Sequence, residues 1–285
     1  MATKCIILDF DGTFTDVERE AAPFVEVYRN AIFDLLGRED VAVWEERAAE
    51  IARNPGRYGW IHDGRIVAPA GADPYIRSTS IAQLLFEKYG VLRGEATRTA
   101  VLTVLYHLAY EQTLTAFRPR AKEVLEALAA SGLPTFVVTN ARTEAALKKL
   151  RTLAPEGLSR IEVHGDARKY VVAEPEANDA RFSRVPAEIH LPGLERPVYP
   201  RRGRYWERIA QILQTTNVAP EEVLVCGDIY ELDLALPLAL GMQVHMVTGP
   251  HAPAAHEVAL FESLGARASH GDDLGQILAR AGLTR

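Results

Sequence analysis

The first apolar run of the chain, Cys5-Ile6-Ile7-Leu8, has no polar position and closes on Asp9-Phe10-Asp11-Gly12-Thr13. Apolar residues without alternation read as a strand covered on both faces, which belongs inside a parallel sheet. Such sheets bind ligands beyond the carboxyl ends of their strands, so Asp9 and Asp11 are carried to that edge. Two carboxylates in one phosphate-sized space repel unless a cation or a shared proton relieves them. The pair therefore asks for a metal, a proton-transfer role, or both. Taken alone, the motif leaves open a plain strand followed by an aspartate-rich turn.

After Thr13 the apolar spacing becomes helical, over residues 23–36, 41–53, 76–89 and 95–114. Between the second and third of these, Asn54-Pro55-Gly56 through Gly64 reads as a long loop rich in glycine and aromatics. From residue 117 strand and helix alternate. Strands are expected over 134–138, 161–164, 169–172, 223–226 and 244–247, and helices over 121–131, 142–153, 204–213, 232–240, 253–264 and 274–281. The proline-rich stretch 173–202 has little periodicity and is expected to hold a hairpin or surface excursion. The alternation predicts an α/β fold, a Rossmann-like parallel sheet flanked by helices, formed by residues 1–15 and 117–285. Residues 16–116 then form an inserted α-helical domain.

A chain of 285 residues with 48% hydrophobic content can bury a sizeable core, and its net charge of −6 counts against a nucleic-acid or anionic membrane surface. Cys5 and Cys226 both sit in apolar runs, as buried thiols do, so no disulfide is expected. Neither a charged-then-apolar leader nor an apolar run of about 18 residues is apparent, so a cytoplasmic location without membrane association is expected. A small soluble substrate is the default partner, with the protein a monomer or homodimer.

Two further apolar strands end in polar residues. One closes on Thr139-Asn140 and the other on Gly227-Asp228, with Asp233 five residues beyond. In a parallel sheet all these ends share one edge, so Asp9, Asp11, Thr139, Asp228 and Asp233 are expected to meet. A crevice of carboxylates is a hard oxygen site, and magnesium is the divalent cation that such sites hold when a phosphate completes the shell. Each of Thr139, Asp228 and Asp233 would also serve as a helix N-cap, and Thr139 alone would be read that way.

Taken together, these residues resemble the haloacid dehalogenase (HAD) superfamily, predominantly phosphohydrolases. Its first motif matches Asp9-Phe10-Asp11-Gly12-Thr13, its second Val137-Val138-Thr139-Asn140, and its fourth Gly227-Asp228 with Asp233. The helical insertion matches the family's cap between the first two motifs. The resemblance implies a magnesium-dependent hydrolase of a small phosphorylated metabolite. Asp9 would be the nucleophile and Asp11 the general acid/base. Thr139, with backbone amides near Asn140, would hold phosphoryl oxygens. Asp9, Asp228 and the Asp11 carbonyl would hold the metal, with Asp233 beside them. Thr13 and Asn140 are substrate-binding candidates in the core.

The third motif, a lysine near the start of the helix before the fourth-motif strand, has no lysine in its usual place. Arg201-Arg202-Gly203-Arg204 opens that helix instead, and Arg202 fits one family spacing, with Arg201, Arg204 and Lys169 as rivals. Arginine binds phosphate but does not copy lysine geometrically. The departure keeps a degenerate phosphate-binding module open as an alternative, and a phosphomutase would use the same aspartates. Family caps carry specificity, which makes Tyr58 and His62, in the loop of the insertion, candidates for reading the leaving group. Structural packing is the competing role for both.

Overall fold

The computed structural model describes residues 2–249 and 254–283. The chain divides into two compact units, one of residues up to Thr15 and from Phe117 onward, the other Asp16–Ala116. Strand β1 (Cys5–Leu8) leads into the second unit, which contains α1 (Val17–Leu36), α2 (Val41–Arg53), β2 (Gly59–His62), β3 (Arg65–Pro69), α3 (Pro74–Tyr89) and α4 (Glu95–Tyr110). The first unit resumes with α5 (Ala121–Ser131), β4 (Thr135–Val138), α6 (Thr143–Leu153), β5 (Ile161–His164), α7 (Gly203–Thr216) and β6 (Val223–Gly227). It closes with α8 (Ala235–Ala239), β7 (Gln243–Val247), α9 (Ala255–Ser263), β8 (Ala268–Gly271) and α10 (Gly275–Arg280).

In the first unit six strands form one sheet in the order β5-β4-β1-β6-β7-β8, every pair parallel. Its side chains alternate between two cores. Cys5, Ile7, Phe136, Val138, Val223 and Val225 pack on one face, and Ile6, Leu8, Val137, Leu224 and Cys226 on the other. Both faces are covered, which is why these strands read as unbroken apolar runs. Leu8 stands opposite Val137 and Cys226. That register brings the ends of β1, β4 and β6 level with one another.

The inserted unit is held by its own aromatic core, in which the Phe24 ring lies 5.3 Å from Tyr28 and 4.8 Å from Tyr75. Its first helix starts at Val17, earlier than the apolar spacing indicated, because the Asp16 carboxylate accepts from the Arg19 amide and Pro23 is accommodated inside the helix.

The structure corrects four readings. The stretch taken as a long loop contains the β2–β3 hairpin, turned by Asp63 and Gly64 at φ 48° and 71°. An Asp-Gly pair favours the turn in which both central residues have positive φ. Residues 169–172 form a turn and coil, not a strand, while β8 is an additional edge strand. Tyr230–Leu234, which include Asp233, form a wide π-type turn before α8 rather than the start of one continuous helix. Pro253, where the ninth helix was expected to start, lies outside the described residues. Among the described residues no helix is long and apolar enough to cross a membrane.

The stretch 173–202 leaves and re-enters the sheet unit through a closed neck. The Ala173 amide donates to the Arg201 carbonyl at 3.1 Å, and the Gly203 amide donates to the Ala173 carbonyl at 2.8 Å. Within it, Ile189 and Val198 exchange two main-chain hydrogen bonds. The start of α7 is thereby brought beside the chain that has just left Lys169.

Candidate active site at the strand ends

Asp9 follows β1 directly, and its amide donates to the Cys226 carbonyl at 2.8 Å, so it continues the ladder by one residue. Two glycines allow the acids to close in. A Cβ on Gly12, whose φ is +87°, would stand 2.1 Å from the Asp228 carboxylate, and one on Gly227 would stand 2.4 Å from the Asp233 Cβ. Either substitution would push a carboxylate out of place. Arg118 braces the same turn by donating to the Gly12 carbonyl at 3.2 Å and to the Thr248 carbonyl at 2.6 Å.

The cation that meets Asp9 is Lys169. Its fully buried ammonium donates to Asp9 Oδ1 at 2.7 Å and to Asp233 Oδ1 at 2.8 Å. Asp233 Oδ2 accepts from the Ile229 amide at 3.0 Å, and the Tyr205 hydroxyl donates to the Asp233 carbonyl, which pins the turn that carries this acid. Asn140 fixes the backbone of the lysine, its side-chain oxygen accepting from the Lys169 amide at 2.7 Å. Thr13 reaches Asp9 Oδ2 at 3.2 Å and Asp228 at 3.4 Å, and Thr139 donates to Asp11 Oδ2 at 3.1 Å.

Arg202, placed by spacing at the third motif, is elsewhere. It is fully buried, and Nη1 donates to the Tyr170 carbonyl at 2.9 Å. Burial lowers its guanidinium to about 10, with Glu231 opposing and Arg196 adding to the shift. The reason for the misplacement is the closed neck. The excursion separates Lys169 from α7 in sequence but not in space, so counting back from the fourth motif reached the arginines instead. Arg201 is turned to Glu174, and Arg204 to Glu176 and Glu207.

Of the residues singled out from sequence, Asp9, Asp11, Thr13, Thr139, Asn140, Asp228 and Asp233 are brought together, linked by these contacts. Tyr58 and His62 lie in the inserted unit, where the Tyr58 hydroxyl donates to the Glu50 carboxylate and His62 stands 6.0 Å from the Trp60 ring. One participant was not anticipated at all: Lys149, on α6, donates to Asp11 Oδ1 at 2.7 Å. Helical spacing sets Lys149 at the edge of the apolar stripe of Ala146 and Leu150, but nothing in the local sequence says which acid it meets.

One carboxylate oxygen from each of Asp9, Asp228 and Asp233 lies within 4.8 Å of the other two. Burial, together with the charges of Asp233 and Asp11, pushes the Asp9 carboxyl upward against the pull of Lys169. Burial by itself would discharge Lys169, but Asp233 and Asp9 outweigh it and hold the ammonium charged. The cluster thus holds more acid than base, and its donors are hard oxygens. A small divalent cation of the magnesium type fits this donor set.

Comparison with known proteins agrees with this architecture. The sequence profile of the haloacid dehalogenase-like hydrolases matches residues 3–241. The chain belongs to that family. Among solved structures, a HAD-hydrolase from Bacillus subtilis bound to magnesium is similar at a TM-score of 0.53 and 14% identity, covering 99% of both chains. A structure from Haemophilus somnus described as a predicted phosphoglycolate phosphatase has a TM-score of 0.53 at 17% identity, covering 97% of both chains. One from Thermotoga maritima assigned as a β-phosphoglucomutase has a TM-score of 0.51 at 16% identity, covering 97% of this chain and 99% of its own. Likeness at these identities establishes the HAD-like fold. A sequence search of curated proteins finds no significant match.

Proposed function

We propose that the protein is a magnesium-dependent phosphatase of a small phosphorylated metabolite. The observation that carries this reading is the shared hydrogen bonding of the buried Lys169 ammonium to Asp9 and Asp233 beside a third acid, Asp228. Asp9, Asp228, Asp233 and the Asp11 carbonyl would hold the magnesium, which when bound offsets repulsion between the acids and an incoming phosphate. A carboxylate oxygen of Asp9 attacks phosphorus, and the bond from phosphorus to the leaving oxygen breaks as Asp11 gives that oxygen its proton. Asp11 then takes a proton from water as the water oxygen attacks phosphorus, and the aspartyl phosphate opens to inorganic phosphate and free Asp9. Thr139 and the adjoining amides hold phosphoryl oxygens, while Lys169 keeps Asp9 oriented and offsets charge that develops in the transition state. Lys169 also answers the third-motif departure that supported a binding module without turnover. Tyr58 and His62 stand as substrate-reading candidates on the family resemblance.

The test is phosphate release from p-nitrophenyl phosphate with and without magnesium, for the native chain and Asp9→Asn. Magnesium-dependent release that falls at least about ten-thousand-fold in the variant supports the mechanism. Release indifferent to either change sinks it. Magnesium binding with no release from a broad phosphate-ester panel favours the binding module.

A further inference from the structure

Asp11 sits in the turn after β1, with about a quarter of its side chain (27%) exposed, yet two donors from separate elements hold its carboxyl group. Thr139, beyond β4, holds Oδ2 at 3.1 Å, and Lys149, from the middle of α6, holds Oδ1 at 2.7 Å. Ala146 and Leu150 dock α6 on the sheet unit, and Lys149 lies beside them, its side chain only 12% exposed, whereas Lys148 faces solvent. Immobilising a lysine costs side-chain entropy, so a directed contact of this length needs a compensating interaction. Lys169 thus meets Asp9 and Asp233, while Lys149 meets Asp11.

We propose that Lys149 is a positioning residue that aims the Asp11 carboxyl group at the leaving oxygen. The proposal rests on the reading of Asp11 as general acid/base. When a phosphoryl oxygen takes the Thr139 hydroxyl, Asp11 loses one of its two holds, and of these two donors Lys149 remains. Proton delivery depends on geometry at the level of a single hydrogen bond, so an acid released at that moment acts on few encounters.

The decisive measurement compares kcat/KM for an alkyl phosphate, whose alkoxide must receive a proton to leave, with that for p-nitrophenyl phosphate, whose phenolate leaves without one. This ratio reports steps through phosphoryl transfer to Asp9 and excludes hydrolysis of the intermediate. Lys149→Met should lower kcat/KM on the alkyl ester at least about tenfold more than on the aryl ester, in the same sense as Asp11→Asn. Lys149→Arg should recover most of the difference, and Lys148→Met should change neither ester. In Asp11→Asn/Lys149→Met the second substitution should add nothing to the first.

Equal loss on both esters in Lys149→Met and Lys149→Arg, or no loss in either, overturns the positioning role while Asp11→Asn still splits the two. If Asp11→Asn itself shows no split, the reading of Asp11 falls and the proposal with it. A native chain that binds magnesium yet releases phosphate from neither these esters nor any other of a broad phosphate-ester panel overturns the phosphatase reading.

Discussion

Two ionic clusters in the sheet unit share their cations differently. Around Lys169, one ammonium is divided between Asp9 and Asp233, and Asp228 brings a third carboxylate within reach. Around Glu231, one carboxylate receives both terminal nitrogens of Arg196, at 2.6 and 2.8 Å, and a second buried guanidinium, Arg202, feels both charges. The first cluster sets one ammonium against three carboxylates, a donor set that fits a divalent cation. The second pairs Glu231 directly with Arg196, with Arg202 and Glu257 close by, and it ties the 173–202 excursion to the turn carrying Asp233. Lys169, Asp9 and Asp233 are buried, and so are Arg196 and Glu231, so burial does not tell a reactive site from a brace. Charge balance does.

The largest effect should come from exchanging the two clusters' cations for methionine. Lys169→Met should lower kcat/KM by about ten-thousand-fold, roughly 5 kcal/mol of transition-state stabilisation, in a protein that still folds. Arg202→Met should leave kcat/KM of the folded fraction within about threefold and appear instead as a lowered Tm. If steady-state kinetics and thermal unfolding show the reverse assignment, the comparison is broken.

A smaller effect separates brace from site by stability. Arg196→Met removes both hydrogen bonds that this guanidinium gives Glu231 and should cost about 4 kcal/mol in urea unfolding. Arg196→Met/Glu231→Leu, which removes both charges, should recover most of it. A double variant as unstable as the single one would mean that the pair contributes more than mutual neutralisation.

The smallest effect concerns a buried ionisable group outside both clusters. His245 on β7 contacts Ser269 through Nδ1 at 2.9 Å, and burial, reinforced by Arg280 and His270, lowers it to about 4. A depressed imidazole contributes stability that is present above its ordinary value near 6.5 and is lost as pH falls toward 4. Between pH 7.5 and 4 the native chain should lose about 3 kcal/mol more than His245→Gln. Parallel stability profiles for the two would show that the imidazole is not held neutral by the fold.

The acids of the candidate site were legible because each follows a short apolar run. A strand buried on both faces admits few polar residues, so the first ones beyond it mark the sheet edge. The Asp63-Gly64 hairpin signal was also present in the sequence, obscured by the aromatics and glycines around it. Lys169 was harder to read, since the closed neck at Ala173 and Gly203 cancels in space the separation that the excursion introduces in sequence. Arg202 had the favoured spacing but is drawn inward by the Tyr170 carbonyl and the charge of Glu231.

By itself, then, the sequence determined the alternation of strand and helix, the family, and the acids at the strand ends. Local periodicity and residue chemistry suffice for these. The tertiary structure alone decided which cation serves which acid. Lysine and arginine side chains reach several ångströms from their backbones, so their partners depend on how helices and turns pack rather than on their place along the chain.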